Sequence, residues 1–194
     1  MDATCPPARA EGVSGARAPR APERGREPRV SVFSAVFSRS PKGWTGAEVD
    51  LTEVEGIDDV ADLMRDTAAA MGAGEEGMLL FAEADDEWFG IVRVDDRNDP
   101  RVFLSDVRAV RGHPVALLFL ETGAAPEPEE EDAEGTGQTP YPDPSGDTGL
   151  LADFGTSGAE LVALTLREGL LPADALAEVA DRAGFAEALD ALRV

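Results

Sequence analysis

The sequence predicts an α+β fold: a mixed or antiparallel sheet of about four to five strands with one crossover helix, followed by a small C-terminal helical segment. Three observations lead there. Apolar, β-branched and aromatic runs recur at "VSVFSAVF", "GMLLFAEA", "WFGIVRV" and "RVFLS", the later ones separated only by short acidic turns. Between the first and second runs the apolar period changes to that of an amphipathic helix. Beyond residue 149 only helical patterns remain.

Taken in order, residues 1–29 repeat Pro, Gly and Arg with almost nothing to bury, and are expected to be disordered. Order begins at residues 30–37, where Val30, Val32, Phe33, Val36 and Phe37 make the near-continuous apolar run of a buried strand. "SPKGW" reads as a turn and "AEVDL" as a short extended piece or edge strand. From Ile57, the residues Val60, Ala61, Met64, Ala68 and Met71 share one helical face. Asp58, Asp59, Asp62 and Arg65 occupy the other, and the early acids suit the positive end of the helix dipole. Gly72 and Gly74 end this helix. The first strand reaches the second through it, which leaves a parallel pair open there. The short turns "DDE" and around Asp95 favour antiparallel hairpins. "SDVRAVRG" starts like a helix capped by Ser105 or Asp106, and "VALLFLE" reads equally as a last strand or a helix. Residues 30–120 thus form one α+β domain.

Residues 121–148 carry nine acids and no base among Pro and Gly, which defeats regular structure and predicts a linker. Residues 149–194 are helical. Ser157 and Glu160 have capping-box spacing, Pro172 sits at a first helical position, and Gly184 falls just past a helix end. Helices this short are marginal alone and must pack on one another or on the sheet. The sequence leaves that choice open.

The formal charge of −22 restricts the function classes. Affinity for nucleic acid rests largely on Lys and Arg displacing counterions from phosphate, so direct binding of tRNA or DNA by the folded part is not expected. A basic protein partner would be drawn in by the same charge, although acidity also serves solubility alone. The sole cysteine, Cys5, allows no intrachain disulfide and no cysteine-cluster zinc site, which fits a reducing cytoplasm. The longest strongly apolar run, Val115–Leu120, is too short to cross a bilayer.

Few residues offer chemistry. The loop Asp95, Asp96, Arg97, Asn98, Asp99 fails as a calcium site, because either register puts Pro100 or Arg97 where a ligand or Gly is needed. It reads as a hairpin turn. Asp85, Asp86 and Glu87 crowd another turn, where a solvated hairpin end outweighs acid–base work. His113, the only histidine, lies between Gly112 and Pro114 and is expected at the surface. Gly155–Thr156–Ser157–Gly158 has the wrong spacing for a nucleophile elbow and reads as a helix cap. Trp44 and Trp88 suit core or strand-edge packing better than an exposed docking surface. No catalytic, cofactor-binding or metal-ligating residue is therefore expected.

Three blocks, "VDLTEVEGIDDVADLMRD", "DEWFGIVRVDDRNDPRVFLSD" and "GLLPADALAEVADRAGFAEALDALR", together resemble the tRNA adenosine deaminase-associated proteins of high-GC Gram-positive bacteria. The similarity covers about Val30–Leu120 and Leu150–Arg193. It implies association with a tRNA-specific adenosine deaminase and supplies no catalytic residue. A zinc deaminase of that class needs a His-x-Glu and a Pro-Cys-x-x-Cys motif, whereas here Pro114 and Val115 follow His113. The resemblance therefore implies a non-catalytic acidic partner of the deaminase. A small ligand-binding or enzymatic domain and an acidic nucleic-acid mimic stand beside it as alternatives.

Overall fold

The computed structural model describes residues 1, 32–74, 77–84, 86–96, 98–120 and 141–193. Residues 2–31, which hold Cys5, the rest of the expected N-terminal tail and the first two positions of the expected first strand, and positions 121–140 of the expected linker lie outside them. The described strands are β1 (Val32–Ser40), β2 (Gly43–Glu48), β3 (Met78–Ala84), β4 (Trp88–Val94), β5 (Arg101–Leu104) and β6 (Ser145–Gly146). They form one sheet in the order β2-β1-β3-β4-β5-β6, with every neighbouring pair antiparallel. The expected α+β class is observed.

Two details depart from the expected arrangement. The chain reaches Trp44 already paired in β2, opposite Arg39, so the turn is only Pro41–Lys42 and the second strand begins earlier than its pattern suggested. Because β2 reverses the chain before helix α1 (Ile57–Ala70) starts, the crossover joins β2 to β3 and passes over β1. The pair β1–β3 is antiparallel, with Val36 opposite Leu80, and the parallel pairing left open from the sequence is not formed. The second departure is β6. Inside the expected linker, Ser145 and Gly146 pair with Leu104 and Phe103, and Asp147 N–H donates to the Val102 carbonyl at 2.8 Å. Gly146 takes φ +99°, and a Cβ there would lie 2.3 Å from the Val102 oxygen. Only glycine permits that approach.

Each face of the sheet is covered. Val36, Leu80, Val92 and Leu104 point to one side, where Val60, Ala61, Met64 and Ala68 of α1 pack on them. The segment "VALLFLE", ambiguous in sequence, is a short 3-10 helix over Pro114–Phe119 that completes this layer with Phe119. Gly90 makes room for it, since a Cβ would stand 2.4 Å from the Phe119 ring. Asp106 caps the preceding 3-10 turn, Val107–Arg111, by accepting from Arg108 N–H.

The opposite side carries Phe37, Phe81, Ile91 and Phe103, and the C-terminal helices lie on it. These are α2 (Gly158–Thr165), α3 (Pro172–Ala183) and α4 (Ala186–Asp190). The Ser157–Glu160 capping box forms, and Pro172 and Gly184 bound α3. Gly184, at φ +81°, turns the chain so that Phe185 enters an aromatic cluster. Its ring centroid lies 4.8 Å from Phe37, 5.3 Å from Phe81 and 4.9 Å from Trp44. Sheet and helices therefore share one core, which answers the question the helix lengths raised.

A buried arginine fastens the same layer at one end of the sheet. Arg93, 7% exposed on β4, donates through Nε to Asp95 at 3.0 Å, through NH1 to the Leu150 carbonyl at 2.8 Å, and through NH2 to Asp153 at 2.8 Å. Its guanidinium also lies 4.5 Å from the Phe154 ring centroid. Arg101 extends the network from Asp95 to Asp147 at 3.4 and 3.3 Å. A charge out of water requires this saturation, because desolvation otherwise outweighs the ionic attraction.

Two outcomes follow. Phe185→Ala lowers unfolding free energy by about 3–5 kcal/mol in chemical denaturation, the cost of deleting a fully packed ring. Asp153→Asn lowers it by about 1–2 kcal/mol, modest because Asp153 itself is mostly exposed. The Arg93 hydrogen bond holds the Asp153 carboxyl below the usual carboxylate range. Its contribution is therefore present above about pH 4 and is lost as pH falls through the lowered value. Denaturation series at pH 7 and pH 3 should show the wild-type and Asp153→Asn stabilities converging at the acid end.

Candidate functional site

At the other end of the sheet the β3–β4 turn, the start of the 141–148 segment and the α2–α3 loop leave an open groove of about 820 Å³. Each wall follows from local chemistry. The turn reverses at Asp86, which adopts a left-handed φ of +56°, and Glu87 N–H closes it on the Ala84 carbonyl at 3.0 Å. Helix α2 stops at Leu166, and Gly169, at φ +78°, redirects the chain toward Pro172. The six residues 166–171 thus lie between the two helices beside the sheet end, because Pro172 supplies no N–H for an earlier helical turn. The 141–148 segment is anchored at this edge by Val107 N–H, which donates to the Asp143 carbonyl at 2.9 Å.

The floor is apolar: Phe89, Leu164 and Ala175 are buried beneath it. The lip is apolar and wet. Tyr141 is 79% exposed and Leu166 41%, while Leu171, next to the groove, is 44% exposed. Apart from the terminal Met1 these are the exposed large apolar side chains among the described residues. The rim is acidic, with Asp86, Glu87 and Glu168 facing a single base, Arg167, whose NH1 is held by Glu178 at 2.9 Å. An apolar trough with a negative rim suits a ligand that is apolar in part and positively charged in part.

The residues singled out in the sequence are placed as follows. Asp95 is a hydrogen-bond acceptor for Arg93 and Arg101; Asn98 N–H closes the turn on the Asp95 carbonyl at 2.9 Å, and Asp96 takes φ +51°. The loop is the β4–β5 hairpin turn, as expected. It borders a second cleft, of about 780 Å³, beside Arg39, Gly77 and Phe154. Arg97 and Asp85 lie outside the described residues. Among the described residues no group of three or more His, Cys, Asp or Glu is placed to hold a metal ion.

His113 departs from its expected position. It is buried at 6% exposure, 5.8 Å from the Trp88 ring, with Nε2 3.1 Å from Glu87. Pro114 opens a 3-10 helix that folds back on the sheet, so the turn carrying His113 is pulled inward. Glu87 therefore stands at once on the groove rim and against His113. Ser157 caps α2, and Thr156 is buried. Trp88 is core, and Trp44 is half-buried against Phe154 and Phe185, so both serve packing.

Sequence reasoning did not find Tyr141, Leu166 and the α2–α3 loop as a surface. A signal was present: Leu166, Leu170 and Leu171 fall outside the stripes of the helices they separate. Tyr141 was submerged in a stretch read only as linker.

None of the described helices is long and apolar enough to cross a membrane. No curated protein and no solved structure matches the chain. A family model does, over residues 32–186, from the first residue of β1 to the first of α4. The match takes in the sheet, α1, α2 and α3, and every residue that lines the groove lies inside it. The chain belongs to the Rv3753c-like tRNA adenosine deaminase-associated protein family.

Proposed function

We propose that the chain is a non-catalytic, cytoplasmic protein partner of a tRNA-specific adenosine deaminase, engaging it through an acidic exterior. The family name supplies the partner, and the disposition of charge supports this mode of contact. Arg65, Arg93, Arg101, Arg108, Arg167, Arg182 and Arg193 each pair with a carboxylate of the chain itself. Guanidinium groups engaged in this way are poorly available to phosphate, so an RNA backbone approaching the described, folded part meets mostly carboxylates.

The acids are distributed differently. Asp58, Asp59, Asp62 and Asp66 are exposed on α1, and Asp50, Glu53 and Glu55 are exposed in the loop before it. That face carries Arg65 as its base, paired with Asp62 at 3.0 Å. It exists because the buried stripe of α1 is apolar and the remaining helix surface had to be soluble. A strongly negative face beside a basic, tRNA-binding enzyme accelerates encounter and loses that effect as salt screens it.

Size-exclusion chromatography of the two purified proteins tests this. Co-elution is expected at low salt, with weaker association at high salt, and no shift at either ionic strength would overturn the reading. Glu55→Lys with Asp59→Lys should reduce the association rate several-fold in surface plasmon resonance while changing dissociation less.

A further inference from the structure

We propose that the groove bounded by the β3–β4 turn and the α2–α3 loop receives a basic peptide segment with an apolar anchor side chain, presented by a protein partner. The inference deepens the reading above and rests on it only for the occupant being a protein. Two independent features specify the occupant. The lip residues Tyr141 and Leu166 keep apolar surface in water above a floor of buried Phe89 and Leu164, and a side chain seated between them would remove it from solvent. The rim then sets the sign of the neighbouring residues. Asp86 and Glu168 have no salt-bridge partner among the described residues, and the one base that lines the groove among them, Arg167, is engaged by Glu178. Lys or Arg flanking the anchor would meet these carboxylates at the groove edge, where partial exclusion of water strengthens the attraction.

The chain's own flanking segments suit the groove poorly. Residues 121–140 carry acids and no base, so the rim repels them. Residues 1–29 have six Arg but no Leu, Ile, Phe, Tyr or Trp to fill the floor. Nucleic acid brings phosphate to a negative rim and is disfavoured in the same way. A polypeptide with both an anchor and positive charge satisfies floor and rim together.

Fluorescence anisotropy of the full chain with labelled peptides tests the proposal. The probes are a Lys/Arg-rich peptide with Leu and Phe anchors, the same peptide with the anchors changed to Ser, the same peptide with its bases changed to Glu, and a copy of residues 1–29. The first should bind, and the other three at least tenfold more weakly. Tyr141→Ser with Leu166→Ser, and separately Glu168→Lys, should each weaken the first peptide at least tenfold, while the exposed, distant Lys42→Ser leaves it unchanged. Circular dichroism and melting of each variant confirm the fold. No binding of the first peptide, equal binding of the anchorless or tail peptide, or unchanged binding by the folded groove variants overturns the proposal. The deaminase separates the two readings. Deaminase association together with peptide binding that the groove variants leave unchanged overturns the groove and keeps the partner, whereas groove-dependent peptide binding without deaminase association keeps the groove and overturns the partner.

Discussion

The packing of Phe185 against Phe37, Phe81 and Trp44 is the contact on which the architecture turns. Strands β3 and β4 are buried along nearly their whole length, with apolar side chains on both faces. An antiparallel sheet often leaves one face in water, and its strands then alternate in polarity. Here α1 can cover one face only. Phe81, Ile91 and Phe103 would stand in solvent unless the chain returned to the other side, and helices α2–α4 make that return. They are too short to persist alone, so the sheet gives them a surface to fold on while they give the sheet its second cover.

That mutual dependence explains why the chain near residue 145 is more than a tether. To move from one face to the other it must pass an edge of the sheet, and it does so along β5. Ser145, Gly146 and Asp147 occupy the hydrogen-bonding groups there, closing an edge that would otherwise invite pairing with another chain. The crossing also creates the groove. A segment entering beside β5 and a loop leaving α2 approach the same hairpin end without filling it. Tyr141 and Leu166 stay exposed at that opening.

Charge is sorted by the same construction. Arginines work mainly as internal fasteners: Arg93 joins β4 to residues 150–153, and Arg193 joins the chain end to Glu83 on β3 at 2.8 Å. Burial raises the Glu83 carboxyl above its usual range even against the pull of Arg193, so that fastener carries a desolvation cost which the Arg93 site limits by exposing Asp153. With seven of the arginines among the described residues paired to carboxylates, the described surface presents mostly carboxylates to solvent.

Much of the fold was legible in residue patterns. The span of β4, the apolar stripe of α1, the Ser157–Glu160 box and the Pro172 and Gly184 boundaries all appear where local rules put them, because propensity, periodicity and capping act within a few residues. The order of the strands was not legible. Whether β1 and β3 run parallel depends on an intervening reversal at Pro41–Lys42, and β2 is half-exposed and weakly patterned around Gly43, Thr45 and Gly46. The burial of His113 depends on Phe119 and Trp88 drawing its turn inward, and no neighbour in sequence announces that. The family likeness was carried by blocks of residues, whereas the groove is assembled from Asp86, Tyr141, Leu166 and Glu168, which are distant along the chain. Residue pattern alone set the α+β class, the limits of α1 and α3 and the acidic character, since each is local or additive, whereas α2 ends at Thr165, short of the Gly169 stop its pattern suggested. Only the tertiary structure decided the sheet order, the docking of the C-terminal helices and the groove, since these arise where separately encoded surfaces must cover one another.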